Sequence, residues 1–425
     1  MNLLRTLSRT HFRSHQLIDN FHQVKIRNIR NDWKIRPYSN TARQSEVFKK
    51  YWNVYKPVMT DPSNKSIRNK ILSTTGVGIV TYYFYSKKSP SARVKKMSNV
   101  FKKGKFEETA NPKNLVERKD LEDTLSKILQ PSLHNYYLIM GTHGTGKTTL
   151  IQNTILKLKK PKGVVHFKCP SDVNEFSKEL AKHLDCELYP DAGRQSKYAD
   201  WSLLRRQLVS TAHYYMKTYK RPMVLILDQI DRIAKKDPEF LGILQDFAKD
   251  YADKGSIIIV FVSSESLIPR LLQSRSAWSR ATTLQIGDIS DEAAVKFLQD
   301  SGIEENISKY AVKYLTGGRF TLLNLFQNKY KMTPKNVLEE YKKHLFMSIK
   351  EDMRSMKLPK NHKIFIKLIE SHAIDIDQAT NIIPLDMIRE LIEANILRHQ
   401  NYTVSFHSRY VENYFKEVNK TESKI

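Results

Sequence analysis

The sequence predicts an α/β fold, in which helices cover both faces of a parallel sheet, followed by further helices and a smaller C-terminal unit. From about residue 113 onward, short apolar segments alternate with segments of helical periodicity. This alternation is typical of parallel sheets built from right-handed crossovers. A glycine-rich loop also follows the first apolar segment and begins the next helix, so it lies where such folds bind ligands.

The first predicted strand, 136–140, leads into a complete G-x-x-x-x-G-K-[ST] motif. In this loop successive backbone N–H groups point at phosphate, and the following helix adds its positive N-terminal dipole. Lys147 is expected to reach the β- and γ-phosphates of ATP, and the Thr148 hydroxyl to bind Mg²⁺. His143 is expected to face solvent or a neighbouring loop, without a chemical role. The predicted nucleotide-binding residues of the loop are Gly141, Thr142, His143, Gly144, Thr145, Gly146, Lys147, Thr148 and Thr149.

An Asp at the end of a later strand predicts the second half of the site. The remaining strands are predicted at 163–168, 222–228, 256–264 and 281–286. The strand that ends in Asp228 fits a Walker B segment, whose Asp holds Mg²⁺ through water. Thr148 and Asp228 are therefore the predicted magnesium-binding residues. Gly141, Asp228 and Ser264 are expected at the same edge of the sheet, because each directly follows or ends a strand.

The order of these motifs resembles the AAA+ superfamily, and within it the STAND-like archaeal-type ATPases and the origin-recognition-type ATPases. The resemblance covers roughly residues 113–330, with a looser match toward the C-terminus. It implies a P-loop NTPase core of three αβα layers over 113–288 and a helical lid over 289–332. It also implies that ATP and Mg²⁺ are the cofactors.

The same resemblance implies residues that respond to the nucleotide. A sensor-1 polar residue at the end of the fourth core strand corresponds to Ser263 or Ser264. An arginine after the next helix, Arg275 or Arg280, would reach the nucleotide of a neighbouring copy, which implies a homo-oligomer. In the lid, Arg319 corresponds to sensor 2. For each arginine the alternative is an ordinary solvated surface charge.

One residue departs from the family pattern. Related ATPases carry Glu directly after the Walker B Asp, whereas this chain has Gln229. An amide positions water by hydrogen bonds but does not accept its proton, so ATP hydrolysis is expected to be slow. Asp231 is expected on the same face of a continuing strand, one repeat further along. The predicted catalytic residues are Asp228, Gln229, Arg275 and Arg319.

Residues 333–425 are predicted to form a winged-helix-like domain. Helical segments precede two short strands about a turn at 395–406, an order similar to the module that often follows origin-type and STAND cores. A winged helix reads DNA with one helix, here 385–394, placed in the major groove. The charged residues of that helix are Asp386, Arg389, Glu390 and Glu393. Because acidic side chains repel phosphate, a protein partner is favoured over nucleic acid.

Most of the net charge of +27 lies near the N-terminus. Residues 1–105 hold 23 Lys and Arg against 4 Asp and Glu, a net charge of +19, whereas the remaining residues hold 48 against 40. Residues 1–38 are basic, poor in acids and carry apolar residues at helical spacing, as mitochondrial transit peptides do. The segment Arg36-Pro-Tyr-Ser predicts cleavage before Ser39. The alternative is a disordered basic tail that binds RNA or acidic lipid.

Residues 39–105 are predicted to be a basic tether that contains one candidate membrane anchor. The segment 71–85 has no charged residue and is flanked by lysines and arginine. Fifteen helical residues span about 22 Å, which is shorter than the hydrocarbon core, although flanking lysines and interfacial tyrosines help to close the gap. The alternative is a buried strand or helix of the folded body. Residues 86–105 are strongly cationic and suit an anionic lipid surface.

The composition excludes several other classes. Two cysteines, Cys169 and Cys186, are too few for a disulfide-built scaffold and fit a reducing compartment. No Cys/His cluster has the spacing of a zinc site. No series of apolar 20-residue segments indicates a polytopic membrane protein.

The sequence therefore favours a mitochondrial ATP-binding ATPase that acts as a nucleotide-dependent switch or remodelling factor, in the matrix or at the inner membrane. A protein partner is expected at the C-terminal domain. Two alternatives stay open at this point. The first is a scaffold that binds ATP without hydrolysing it, which Gln229 supports. The second is a mitochondrial nucleic-acid factor, which the origin-type resemblance and the basic segment 86–105 support.

Overall fold

The computed structural model describes residues 90–106, 116–130, 135–188, 197–264, 267–356, 359, 362–400 and 402–422. The chain divides into two compact units, Met1–Ser86 and Lys87–Ile425, and every described residue belongs to the second. The predicted transit peptide (1–38), its cleavage site before Ser39 and the predicted anchor (71–85) lie outside the described residues.

Five parallel strands form the central sheet. They are β1 (Tyr136–Met140), β2 (Val164–Lys168), β3 (Met223–Asp228), β4 (Ile257–Ser263) and β5 (Ala281–Gln285). Their order is β2-β3-β4-β1-β5, and each neighbouring pair is parallel. The ends of β1, β3 and β4 therefore lie side by side at one edge of the sheet. The predicted α/β fold class is confirmed.

Helices cover both faces of this sheet. They are α1 (Pro90–Lys103), α2 (Lys119–Leu129), α3 (Lys147–Lys157), α4 (Phe176–His183), α5 (Ala199–Tyr219), α6 (Asp231–Lys236), α7 (Pro238–Asp253) and α8 (Leu267–Gln273). Alternate residues of a strand point to opposite faces. Leu225 and Leu227 accordingly pack in one core with α1, α4, α5 and α7, whereas Val224 and Ile226 pack in the other with α2 and α3.

The prediction of a basic tether is wrong for the segment 90–103. These residues form α1, and Met97 and Phe101 are 1% and 0% exposed in the same core as β2 and α5. The Phe101 carbonyl accepts a hydrogen bond from the Gly163 N–H at the start of β2. The lysines suggested a solvated segment, but apolar residues at helical spacing between them bury one face. The folded body therefore begins well before residue 113.

A helical lid follows the sheet. It consists of α9 (Asp291–Gln299), α10 (Glu305–Ala311), a π-helical turn (Val312–Thr316) and α11 (Phe320–Met332). These helices share a core of their own. The next helix, α12 (Val337–Ser355), contributes Val337 and Tyr341 to the lid core and Ile349 and Met353 to the C-terminal core. The single helix α12 therefore packs on both the lid and the C-terminal unit.

The C-terminal unit contains four further helices and a small antiparallel sheet. The helices are α13 (Lys363–Ser371), α14 (Ile376–Thr380), α15 (Leu385–Glu393) and α16 (Arg409–Glu422). The strands β6 (Ala373–Asp375), β7 (Leu397–Gln400) and β8 (Thr403–Phe406) have the order β6-β8-β7. The predicted hairpin is present, whereas β6 and α14 were missed because both are very short. The winged-helix assignment stays a prediction.

Among the residues that the structure describes, no helix is both long enough and apolar enough to span a membrane.

Replacing Phe101 tests whether α1 belongs to the folded core. Phe101→Ala removes a fully buried ring that lies 6.5 Å from the Tyr215 ring, and such truncations cost about 3–5 kcal/mol of unfolding free energy. We expect a loss of this size in urea denaturation. Lys103→Ala, at an exposed position of the same helix, should change stability by less than about 0.5 kcal/mol. Equal stability of the two variants would show that α1 is not packed as described.

Candidate functional site

The phosphate-binding loop lies against the first turn of α11 in the lid. Gly144 and Gly146 both have φ of 84°, a conformation that other residues rarely adopt. A Cβ at Gly144 would lie 1.8 Å from the Thr321 hydroxyl, and one at Gly146 would lie 2.9 Å from the Phe320 ring. The Thr321 N–H also donates a 3.3 Å hydrogen bond to the Gly144 carbonyl. The glycines therefore allow both the curl of the loop and the close approach of the lid.

Lys147 is the first residue of α3 and is only 6% exposed. Its ammonium donates to the carbonyls of Gly141 at 2.8 Å and Thr142 at 3.0 Å. No carboxylate of the described residues forms an ion pair with it. Burial lowers the pKa of Lys147 to about 8, although Asp228 and Asp231 oppose the shift. A buried cation that bonds only carbonyl groups is well placed to receive an anion.

Thr148 and Asp228 meet as the two predicted magnesium-binding residues should. The Thr148 hydroxyl donates a 2.7 Å hydrogen bond to Asp228 Oδ2. Asp228 ends β3 and is 2% exposed. A hydroxyl and a carboxylate beside a glycine-rich loop are the oxygen ligands that Mg²⁺ takes together with phosphate oxygens. The residues therefore fit Mg·ATP, and the bound metal would neutralise charge on the phosphates.

His166 is a residue of the site that the sequence analysis missed. It lies on β2, which pairs with β3, and its Nε2 is 3.0 Å from Asp228 Oδ2. Both side chains are almost fully buried. Because an ionised carboxylate only accepts hydrogen bonds, the imidazole must donate. Burial alone would raise the pKa of Asp228, but hydrogen bonds from His166, Thr148 and the Gln229 N–H outweigh it and lower that pKa.

Gln229 directly follows β3 and has a left-handed backbone conformation, with φ of 58°. Its N–H donates a 2.8 Å hydrogen bond to Asp228 Oδ1. Its side-chain Oε1 is buried and finds no hydrogen-bond donor among the described residues. This oxygen can therefore accept a hydrogen bond from a ligand or water that enters the site. The position of Gln229 beside Asp228 agrees with the predicted role in placing water, and that role stays a prediction.

The predicted position of Asp231 is wrong. The strand ends at Asp228, and the turn at Gln229 leads into α6, which begins at Asp231. The Asp231 carboxylate accepts a 3.1 Å hydrogen bond from the Ser264 N–H. Asp231 therefore ties the end of β3 to the end of β4 and does not extend the strand face. Ser263 ends β4 and Ser264 directly follows it, so both sensor-1 candidates lie at the nucleotide edge, where Ser263 is 1% exposed and Ser264 is half-buried.

Arg319 is buried between three parts of the chain. It lies directly before α11 and is 3% exposed. Its guanidinium donates to the Asp288 carboxylate at 3.2 and 3.3 Å, to the His407 ring Nδ1 at 3.1 Å and to the His407 carbonyl at 2.9 Å. Asp288 follows β5 of the core, and His407 follows β8 of the C-terminal unit. The sensor-2 candidate therefore joins core, lid and C-terminal unit.

The sequence analysis also did not predict the roles of His407 and Arg118 around Arg319 and the phosphate-binding loop. Burial lowers the pKa of His407, the positive charges of Arg319 and Arg398 add to this effect, and together they bring the pKa to about 3. The ring therefore stays neutral, and its Nδ1 can accept the hydrogen bond from Arg319. On the other side of the loop, Arg118 donates to the carbonyls of Thr145 at 3.2 Å and Gly287 at 2.9 Å. The sequence offered no signal for these contacts, because each joins residues far apart in the chain.

The other two arginine candidates do not reach the site of their own chain. Arg275 donates to Asp246 at 2.6 Å and Arg280 to Asp253 at 2.7 Å, and both acids belong to α7. All four side chains are 39% to 54% exposed. Arg280 also directly precedes β5, which places it at the edge opposite the nucleotide loop. A role toward the nucleotide of a neighbouring copy stays a prediction.

Comparisons with known proteins agree with this geometry. Residues 132–271 match the family model described as an AAA domain. The matched stretch includes the phosphate-binding loop, Asp228 and Ser264. No curated protein matches the sequence at a significant level.

Three of the solved structures of similar fold come from archaea. A Walker-type ATPase of Pyrococcus abyssi is 17% identical with a TM-score of 0.50, over 73% of this chain and 99% of that one. Cdc6p of Pyrobaculum aerophilum is 15% identical with a TM-score of 0.41, over 76% and 98%. The Aeropyrum pernix ORC1 protein in complex with DNA is 14% identical with a TM-score of 0.42, over 74% and 96%. Because the sequence identity is only 17%, the similarity to the Pyrococcus abyssi ATPase shows a shared fold and nothing further.

The hydrogen bond from His166 should hold Asp228 ready for Mg²⁺. His166→Leu removes the donor, whereas His166→Gln keeps an amide N–H at a similar reach. Losing a residue that orients a metal-binding carboxylate typically costs 10–100-fold in metal affinity. We therefore expect His166→Leu to weaken ATP binding by about tenfold in Mg²⁺ but not in EDTA, and His166→Gln to restore most of it. Calorimetric titration measures both. Equal losses with and without Mg²⁺ would indicate a packing defect instead.

Proposed function

We propose that the chain, whose residues 132–271 match an AAA domain model, is an ATPase of the AAA+ type that works as an ATP-dependent conformational switch. In the proposed cycle, Mg·ATP binds to the loop 141–149 with Lys147 on its phosphates and Mg²⁺ between Thr148 and Asp228. Arg319 then leaves Asp288 and His407 and turns to the γ-phosphate. The C-terminal unit loses that contact and moves relative to the lid, which changes the surface offered to a protein partner.

The observation that supports this proposal is the burial of Arg319 in a contact that it shares with Asp288 and His407. Arg319 lies close enough to Lys147 for its positive charge to lower the pKa of that lysine. Asp288 pairs with Arg319, but Lys147 has no carboxylate partner among the described residues, so the two nearby cations still repel each other. Phosphate would relieve this repulsion, so ATP competes with Asp288 for the same guanidinium. That competition gives a ligand different affinities for two conformations, as a switch requires.

Slow hydrolysis suits a switch that works mainly by binding. A glutamate general base is absent after Asp228, and Gln229 can only position the attacking water. General-base assistance is typically worth 10²–10⁴-fold in rate. ATP would therefore stay bound long enough for a partner to recognise the ATP state. The alternative of a scaffold with permanently bound ATP differs in one respect, because it predicts no movement when nucleotide is added or removed.

The partner that we propose is a protein. On α15 the exposed charged residues are Asp386, Arg389, Glu390 and Glu393, and Arg389 is already paired with Asp386 at 2.9 Å. The face is therefore acidic and repels a phosphate backbone, whereas it complements a basic protein surface. We further propose that the protein acts in mitochondria, because of the composition of residues 1–38. Oligomerisation through Arg275 or Arg280 is part of the same proposal.

Hydrogen exchange of the hairpin β7–β8 tests the switch. If Mg·ATP withdraws Arg319 from His407, the amides of residues 397–407 should exchange about tenfold faster with Mg·ATP than without nucleotide. Lys147→Ala is the control, because it removes the positive charge that would hold the phosphates. That variant should bind ATP poorly and show no change in exchange. Parent protein that binds Mg·ATP without any change in this hairpin would favour the static scaffold.

A further inference from the structure

Exposed lysines are concentrated at the edge of the sheet opposite the nucleotide site. In a parallel sheet all strands begin at one edge and end at the other, and the nucleotide loop follows the end of β1. The segments before β2, β3 and β4 and the end of α1 therefore meet at the opposite edge. The Lys162 N–H donates to the Lys102 carbonyl, and the Met223 N–H donates to the Ser256 carbonyl, so these segments are in contact.

We call this surface the basic edge and define it by seven exposed lysines: Lys102, Lys103, Lys159, Lys160, Lys217, Lys220 and Lys254. None of the seven forms an ion pair with a carboxylate of the described residues. In the four segments that carry them, 101–105, 156–163, 216–222 and 252–256, the only acid is Asp253. That carboxylate is held by Arg280 at 2.7 Å. Two acids from other segments, Asp185 and Glu122, pair with Lys105 and Lys157, so neither of them forms an ion pair with the seven lysines of the basic edge.

The backbone that presents these lysines is held firmly. Arg221 donates to the carbonyls of Pro161 at 2.8 Å and Lys162 at 3.0 Å. Lys162 in turn donates to the Ile155 carbonyl at 2.8 Å. A lysine near the C-terminus of a helix stabilises that helix through the helix dipole, which explains individual lysines at helix ends. It does not explain why four elements that converge on one surface are almost free of acids.

We infer that the basic edge docks on an anionic lipid surface, with the nucleotide site facing away from it. Clusters of four to eight lysines attract the headgroups of anionic lipids, because each ammonium group acts as a point charge that needs no fixed geometry. The uncharged segment 71–85 ends five residues before α1 begins, so at most ~18 Å of chain separates it from Pro90, and the ~20 Å length of α1 separates Pro90 from Lys103. Single-stranded nucleic acid needs exposed rings for stacking, but Tyr219 lies half-buried under Lys102. These features favour lipid over nucleic acid.

The test compares the full chain with two triple variants of equal charge change. The first replaces three lysines of the basic edge: Lys159→Glu, Lys160→Glu and Lys220→Glu. The matched control replaces three exposed lysines of the lid and the segment after it: Lys331→Glu, Lys335→Glu and Lys343→Glu. The readout is the ratio of binding to phosphatidylcholine vesicles with and without phosphatidylserine. This ratio removes any contribution of residues 71–85 that does not depend on lipid charge.

We expect the parent and the control to prefer the anionic vesicles and to lose that preference as salt is raised. The basic-edge variant should bind anionic vesicles about a hundredfold more weakly. Its affinity for Mg·ATP should equal that of the parent, since the two edges are opposite, and this also shows that it is folded. The vesicle result is independent of the proposed switch, because Lys147→Ala should leave it unchanged.

Three results would overturn the inference. One is a parent that does not distinguish the two kinds of vesicle. Another is an equal loss in both triple variants, which would reflect net charge alone. The third is tighter binding of a short RNA or DNA duplex than of anionic vesicles at the same salt, lost in the basic-edge variant only. In that case the basic edge would be a nucleic-acid interface.

Discussion

A buried guanidinium must find partners for its charge and its N–H groups, and the arrangement of this protein depends on how Arg319 finds them. An unpaired cation at that depth would cost several kcal/mol. Its partners come from the core through Asp288 and from the C-terminal unit through His407, while Arg319 itself begins the last lid helix. Arg319 therefore contacts core, lid and C-terminal unit at once, and any ligand that attracts this side chain also changes a contact between them.

The polarity of the parallel sheet separates the two functional surfaces. Strand ends carry the phosphate-binding loop, Asp228 and Ser264, whereas strand starts carry the basic edge. Helix N-termini at the first edge favour anions such as phosphate, and helix C-termini at the second favour lysines. A nucleotide and an anionic surface can thus be bound at once without competing. The C-terminal unit contacts the nucleotide edge through His407, so it would face away from a lipid surface.

The local sequence predicted the nucleotide site well where a short chemical motif directly follows or ends a predicted strand. The phosphate-binding loop, Lys147, Thr148 and Asp228 follow from short motifs, and the structure brings Thr148 and Asp228 within 2.7 Å. The sequence could not reveal His166, because its contact with Asp228 depends on the pairing of β2 with β3, which lie far apart in the chain. Strand pairing of this kind is set by tertiary packing and not by local propensity.

Two predictions failed for local reasons. The charge of residues 90–103 concealed the amphipathic pattern of Met97, Val100 and Phe101, which pack in the core. The strand was expected to continue past Asp228, but Gln229 takes a left-handed turn and α6 follows. Such a turn is uncommon for glutamine, and no glycine signalled it. The network around Arg319 joins residues up to 88 positions apart, so only the fold reveals it.

The central claim, that ATP and the C-terminal unit compete for Arg319, is tested most directly by calorimetric affinities for Mg·ATP and Mg·ADP. His407→Ala removes the ring acceptor of Arg319 and keeps the backbone carbonyl, so the account predicts that Mg·ATP binds about tenfold more tightly than to the parent, with Mg·ADP unchanged. Arg319→Ala should weaken Mg·ATP and again leave Mg·ADP unchanged. If His407→Ala changes both affinities equally, or if neither variant separates ATP from ADP, Arg319 does not respond to the γ-phosphate and the switch account is wrong.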